Sequence, residues 1–168
     1  MELRDLTKRR VIEKYNGLHE LGAIKYPLKV GYMIAHNKGI LAVAYQKIME
    51  PINKVDPRLK EYHEERILLA KSLAMKDEKK HPVVDKNNQF VFDFEGQEKF
   101  TEELKKLKEK YREALDDDEK FRADLPGYLD DPDDLFSFEG FKKIPLKQLR
   151  SDIEPNKLQA IIDLLEDD

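Results

Sequence analysis

Val83-Val84-Asp85-Lys86-Asn87-Asn88-Gln89-Phe90-Val91-Phe92 separates two long, highly charged stretches, and its reading decides the fold. β-Branched and aromatic residues flank four turn-forming ones, the pattern of a small β-hairpin at about 83–92. Asn tolerates the left-handed backbone that a tight turn needs. Before the hairpin, Arg58 to Lys76 carries Leu59, Tyr62, Leu69 and Leu73 as a helical stripe, supported by Ile67 and Leu68, with Asp56-Pro57 as its opening. After it, Phe100, Leu104, Leu107, Tyr111 and Leu115 recur at steps of four, three, four and four. Residues 58–115 therefore predict a helix–hairpin–helix scaffold. A two-stranded ribbon is marginal alone, so it must cap or extend the helices. Those helices fold back on each other or pair with the same helices of a second copy.

Working outward, a first helix is expected from about Thr7 to Leu21, with Ile12, Tyr15 and Leu18 on one side and Gly22 as its stop. A second is expected from Leu28 to about Pro51, with Pro27 in its first turn. Its apolar face is Val30, Met33, Ile34, Leu41, Ala44, Ile48 and Ile52. Asp116-Asp117-Asp118 closes the helical body, and Pro126-Gly127 and Asp130-Asp131-Pro132 mark 116–140 as an acidic, aromatic linker. Its Phe121, Leu125, Tyr128, Leu129, Leu135, Phe136 and Phe138 need a surface to dock on. Phe141 to Leu146 reads as extended, and Pro155 opens a last helix with Leu158, Ile161, Ile162 and Leu165 on one face. The expected fold is mainly α: long helices in a helical hairpin or bundle, a small β-hairpin and a short C-terminal helix. The expected organisation is a body over 1–115, a linker over 116–140 and a tail over 141–168, with no internal repeat.

Composition narrows the chemistry. The chain has 168 residues, 39% of them charged, and no Cys, which removes thiol catalysis, disulfides and thiolate metal sites. No apolar run approaches the roughly 20 residues that span a bilayer, and no apolar leader follows Met1, so a cytoplasmic protein without a membrane partner is expected. Charge is uneven: residues 1–50 carry nine basic and five acidic side chains, residues 116–168 seven and sixteen. A basic head and an acidic tail attract each other, within one chain or between copies.

No catalytic signature is present. His19, His36, His63 and His81 lack metal-ligand spacing, and the Asp130–Asp134 cluster lacks the central Gly and terminal Glu of a calcium loop. There is no glycine-rich phosphate cradle and no nucleophile elbow. The sequence therefore predicts a non-enzyme with no cofactor and no metal. A sequence pI near 5.7 speaks against nucleic-acid binding, despite Lys8-Arg9-Arg10. One segment stands out, Pro27 to Lys38. Lys29, Tyr32, His36 and Asn37 fall on one helix face and offer a cation, an aromatic plane and amide hydrogen bonds to a nucleotide-like ligand, with Arg9 and Arg10 as further cations. Asn37 has a second reading, as a buried polar residue that sets register between helices, since Asn is a poor interior helix former.

Taken in order, Pro27 to Asn37, Lys76-Asp77-Glu78, Pro82-Val83-Val84-Asp85-Lys86-Asn87-Asn88-Gln89-Phe90, Phe100-Thr101-Glu102-Glu103-Leu104, Ile144-Pro145-Leu146 and Leu158 to Leu165 resemble a family of short bacteriophage proteins of unknown function. The resemblance covers about residues 27–115 and the last twenty-five, and the basic N-terminal helix and the acidic 116–140 stretch depart from it. It implies a viral protein with helix, hairpin, helix and docked tail, and it brings no active-site residue. Three functions are expected from these observations. The first is an interaction protein, self-associating, that binds a host or viral protein, for instance to inhibit a host defence system. The second is an oligomer that sequesters a signalling nucleotide, and the third a virion component or assembly factor.

Overall fold

The structure is a computed structural model that describes residues 1–149, 153 and 155–166. It is mainly helical, as the periodicity predicts, and its contacts divide it into two compact units, Met1–Asn53 with Asp124–Asp168, and Lys54–Ala123.

The first unit is built on α1 (Lys8–Gly22) and α2 (Leu28–Asn53), packed against each other. The Thr7 hydroxyl caps α1 by accepting from the Arg10 N–H at 3.4 Å, and Pro27 stands just before α2, its carbonyl accepting from the Gly31 N–H at 3.0 Å. The buried stripe of α2 is Val30, Ile34, Asn37, Leu41, Ala44 and Ile48, an alternation of four- and three-residue steps with one polar member. Facing it are Val11, Leu18 and Leu21 of α1, all fully buried. Lys8 and Lys14 share the buried side of α1, at 5% and 3% exposure, so two ammonium groups within that face need partners.

The rest of this unit comes from the far end of the chain. β1 (Leu3–Leu6) pairs antiparallel with β2 (Phe136–Phe138), Leu3 opposite Phe138 and Leu6 opposite Phe136, with an irregularity where Asp5 takes a φ of 54°. β3 (Ile144–Pro145) pairs in parallel with β4 (Leu165–Glu166). Phe141, Ile144, Leu149, Ile161 and Leu164 join the α1–α2 core. The last helix is shorter than its apolar spacing suggests: α6 spans Pro155–Gln159, and a single 3₁₀ turn at Ile162–Leu164 leads into β4.

The second unit packs α3 (Pro57–Leu73) against α4 (Phe94–Lys110), which continues past Tyr111 into α5 (Arg112–Leu129). Asp56 caps α3 and Pro57 occupies its first position, as expected. Leu59, Tyr62, Ala70, Ala74, Tyr111 and Ala114 are buried, a small core. Tyr62 and Tyr111 meet edge to face at 5.8 Å. Gly96 is required: a Cβ there would stand 2.7 Å from the Leu73 carbonyl oxygen.

Between α3 and α4 the hairpin takes an unforeseen form. The Val83 N–H donates to the Met75 carbonyl at 2.8 Å, Val91 N–H to Val83 carbonyl at 3.0 Å, and Met75 N–H to Val91 carbonyl at 2.8 Å. Three single residues, eight apart along the chain for each loop, close a ring of backbone hydrogen bonds. The two loops between them are copies. Asp77 Oδ1 accepts from Lys79 and His81 N–H, as Asp85 Oδ1 accepts from Asn87 and Gln89 N–H. Lys80 and Asn88 take the left-handed backbone at φ 65° and 59°. The expected hairpin is thus the second of two equivalent Asx-type turns, held by the Val84–Phe90 bridge, and a short internal repeat exists where none is expected. Because Met75 belongs to this ring, α3 stops at Leu73, short of Lys76.

The stretch 116–129, expected as part of a linker, is helical. Phe121, Leu125, Tyr128 and Leu129 lie at helical spacing, and Asp116 and Asp118 form i,i+4 ion pairs with Arg112 and Arg122. Early acidic residues also favour a helix N-terminus. Pro126 removes one backbone hydrogen bond but does not end α5, because Tyr128 and Leu129 gain burial against the first unit's core.

Candidate functional site

Two of the four residues singled out on α2 have their hydrogen-bonding capacity engaged within the chain. Asn37 is fully buried; its Nδ2 donates to the Lys142 carbonyl at 2.7 Å and its Oδ1 accepts from the Lys142 N–H at 2.8 Å. His36 Nε2 lies 2.9 Å from the Gly140 carbonyl and donates to it in the tautomer that protonates that nitrogen. Gly140 allows the approach with a φ of 83°. Together they tie the 140–142 segment to the helix. Asn37 therefore sets the register of a strand-like segment on α2, which corrects both expectations for it: contact with a ligand, and register between helices. Tyr32 is 58% exposed and shares this face, its ring 5.8 Å from that of His36 and under the Lys142 ammonium at 5.7 Å. Lys29 is exposed in the first turn of α2.

Arg9 and Arg10 do not join that face. Arg9 grips Asp130 in a two-pronged ion pair, both contacts at 2.8 Å, and this bond with the guanidinium's charge holds the Asp130 carboxyl below its usual value. Arg10 pairs with Glu13 at 3.0 Å. Lys8 reaches Asp134 at 2.6 Å and lies 4.5 Å over the Tyr128 ring, and Lys14 reaches Asp163 at 2.6 Å. The basic head and acidic tail thus meet within one chain. Burial alone would raise the Asp163 carboxyl, but the hydrogen bond and charge of Lys14, with lesser help from a backbone bond and Arg10, reverse the sign and leave it lowered.

The second unit carries a feature that sequence reading missed. Leu68, Leu69 and Leu107 floor a groove of about 380 Å³ between α3 and α4, edged by Glu65, Glu103, Lys106 and Lys110. Leu68 is 64% exposed and Ile67 47%, so these two residues stand outside the stripe they were expected to support. The signal was present: Ile67-Leu68-Leu69 is a run too wide for one buried helix face. Lys110 Nζ donates to Glu65 at 2.6 Å and the Tyr111 hydroxyl donates to the same carboxylate at 2.8 Å. These two bonds, lysine's first, lower the Glu65 carboxyl, and the hydrogen bond to Glu65, with burial, raises the Tyr111 phenol. Lys106 pairs with Glu103 at 2.7 Å. Among the described residues no cluster of three His, Asp or Glu side chains is placed to hold a metal ion, and no helix is long and apolar enough to cross a membrane. No protein-family model, no curated protein and no solved structure matches the chain.

Proposed function

We propose that the chain is a non-enzymatic interaction protein of bacteriophage type, which self-associates through the α3–α4 groove and acts by binding a host or viral protein. Inhibition of a host defence complex is one form this takes. The observation that carries the reading is the groove itself: a leucine floor, Leu68 exposed with Leu69 and Leu107 half-buried, between edges that carry both signs of charge. Monomeric surfaces seldom leave contiguous apolar area rimmed by polar groups without a binding role. The edge holds two carboxylates and two ammonium groups, so it carries no net charge to repel a second copy of the same surface in a two-fold contact.

Sedimentation of the purified chain across a concentration series tests the self-association, and capture from host and infected-cell lysates tests the partner. The expected results are a reversible dimer or small oligomer and a stoichiometric host or viral protein on the beads. A monomer at every concentration together with empty beads removes the proposal.

A further inference from the structure

We propose that a cavity of the first unit, between the last turns of α1 and the first turns of α2, binds a small monoanion with an apolar body, a carboxylate or phosphate carried on a compact aromatic or branched group. The inference is independent of the α3–α4 groove. The cavity measures about 300 Å³, the lower end of the range of ligand sites. Its floor is apolar and buried, Leu18 and Ile34 at 0% and 1% exposure, with Ile24 beside them.

The one ammonium and the one imidazole of the lining stand together, while the Tyr26 hydroxyl is the further side-chain polar group around the cavity. Lys38 is half-buried, and its ammonium lies 2.8 Å from His19 Nδ1 and 5.3 Å from the centroid of the Tyr15 ring. Tyr15 is held by a stack on Tyr45, the rings 3.9 Å apart. An ammonium has three protons and no acceptor capacity, so His19 must be the acceptor and two protons remain for a further acceptor. The two buried lysines of this helix pair, Lys8 and Lys14, each have a carboxylate at 2.6 Å. Lys38 has none among the described residues. A half-buried cation held in place by a neutral ring and an aromatic face is a prepared site for an anion, since its orientation has been settled before the ligand arrives.

Glycines supply the space. Gly22 and Gly31 both line the cavity, and Gly31, inside α2, costs about 1 kcal/mol relative to Ala. Neither is demanded by packing: a Cβ on Gly31 meets nothing within 4 Å, and one on Gly22 meets only Ile34 at an ordinary 3.7 Å. Gly96, by contrast, is forced by the Leu73 carbonyl. What the absent side chains at 22 and 31 accomplish is to leave room between the two helices.

The test is amide-resolved NMR titration of the full chain with phenylacetate and phenyl phosphate, and with 2-phenylethanol as the uncharged control. Saturable shifts are expected at Gly22, Ala23, Gly31 and Ala35 with at least one anion, and none with the alcohol at the same millimolar concentration. Lys38→Met is expected to weaken the anion about tenfold or more, the scale of a lost charge-assisted hydrogen bond. Gly31→Leu, whose first side-chain atom enters open space, is expected to retain the dispersed spectrum and lose the saturable shifts. Equal response to the alcohol, unchanged affinity in Lys38→Met, or no saturable shift with either anion overturns the proposal.

Discussion

Asn37 and Lys142 are joined as two strands would be: one side-chain amide supplies a donor and an acceptor to the backbone of a single residue 105 positions away, at 2.7 and 2.8 Å. The pairing lies in the stripe that holds the first unit together, at a position with no solvent exposure. Replacing Asn37 by Ala leaves a part-buried N–H and carbonyl without partners, and the expected loss is about 2–4 kcal/mol. Asn37→Asp is expected to destabilise as well, because a carboxylate accepts from the Lys142 N–H but repels its carbonyl. Urea unfolding followed by circular dichroism measures both. A change in Asn37→Ala no larger than about 0.5 kcal/mol, ordinary for a surface site, contradicts the assignment.

Gly96 and Gly31 predict opposite signs for the same substitution. Gly96→Ala forces a Cβ to 2.7 Å from the Leu73 carbonyl and 2.9 Å from Asp93 Oδ1, the atom that caps α4. The expected cost is about 1–3 kcal/mol. Gly31→Ala places a methyl group in open space within a helix and is expected to stabilise by up to about 1 kcal/mol. Thermal melting of the two variants compares them directly.

The tail's ion pair gives a pH dependence with a definite direction. The Asp163 carboxyl is lowered from its usual 3.8 in the folded chain, so the unfolded chain takes up the proton first. Its contribution is fully present above about pH 4 and fades as pH falls below 3.8 through the lowered folded value. The difference in stability between the parent and Asp163→Asn should therefore be constant near neutrality and shrink in that acid window. A difference that grows on acidification reverses the expected sign.

Self-association through the second unit is expected to depend on its leucines more than on its charges. Leu68→Glu or Leu107→Lys, each at the groove floor, should weaken it by a factor of about thirty or more, the scale of a central contact. The edge pairs Glu65–Lys110 and Glu103–Lys106 are solvent-exposed, so raising salt should change the association much less. Sedimentation with a parallel melting curve separates a lost interface from a lost fold.

Much of this molecule follows from local pattern. The starts of α1, α2 and α3, the turn at 85–88 and the left-handed Asn88 all rest on residues within a few positions of one another. Asn37 is conspicuous for the same reason, as a poor helix former inside an apolar stripe. Where local signals conflicted, reading failed: Pro126-Gly127 outweighed the helical spacing of Phe121, Leu125, Tyr128 and Leu129, because the burial that favours the helix lies in another part of the chain.

The sequence alone determined the helical class, the starts of α1, α2 and α3 and the alternation of apolar with charged positions, since these depend on backbone propensity and on spacing along a few turns. Only the tertiary structure decided that Lys142 is the partner of Asn37, that Asp134 and Asp163 meet Lys8 and Lys14, and that Lys38 stands at a cavity with a neutral ring beside it. Charge and hydrogen-bonding capacity are visible in any residue list. Their use is set by which distant segments the core draws together, and burial makes that choice over separations that no local pattern spans.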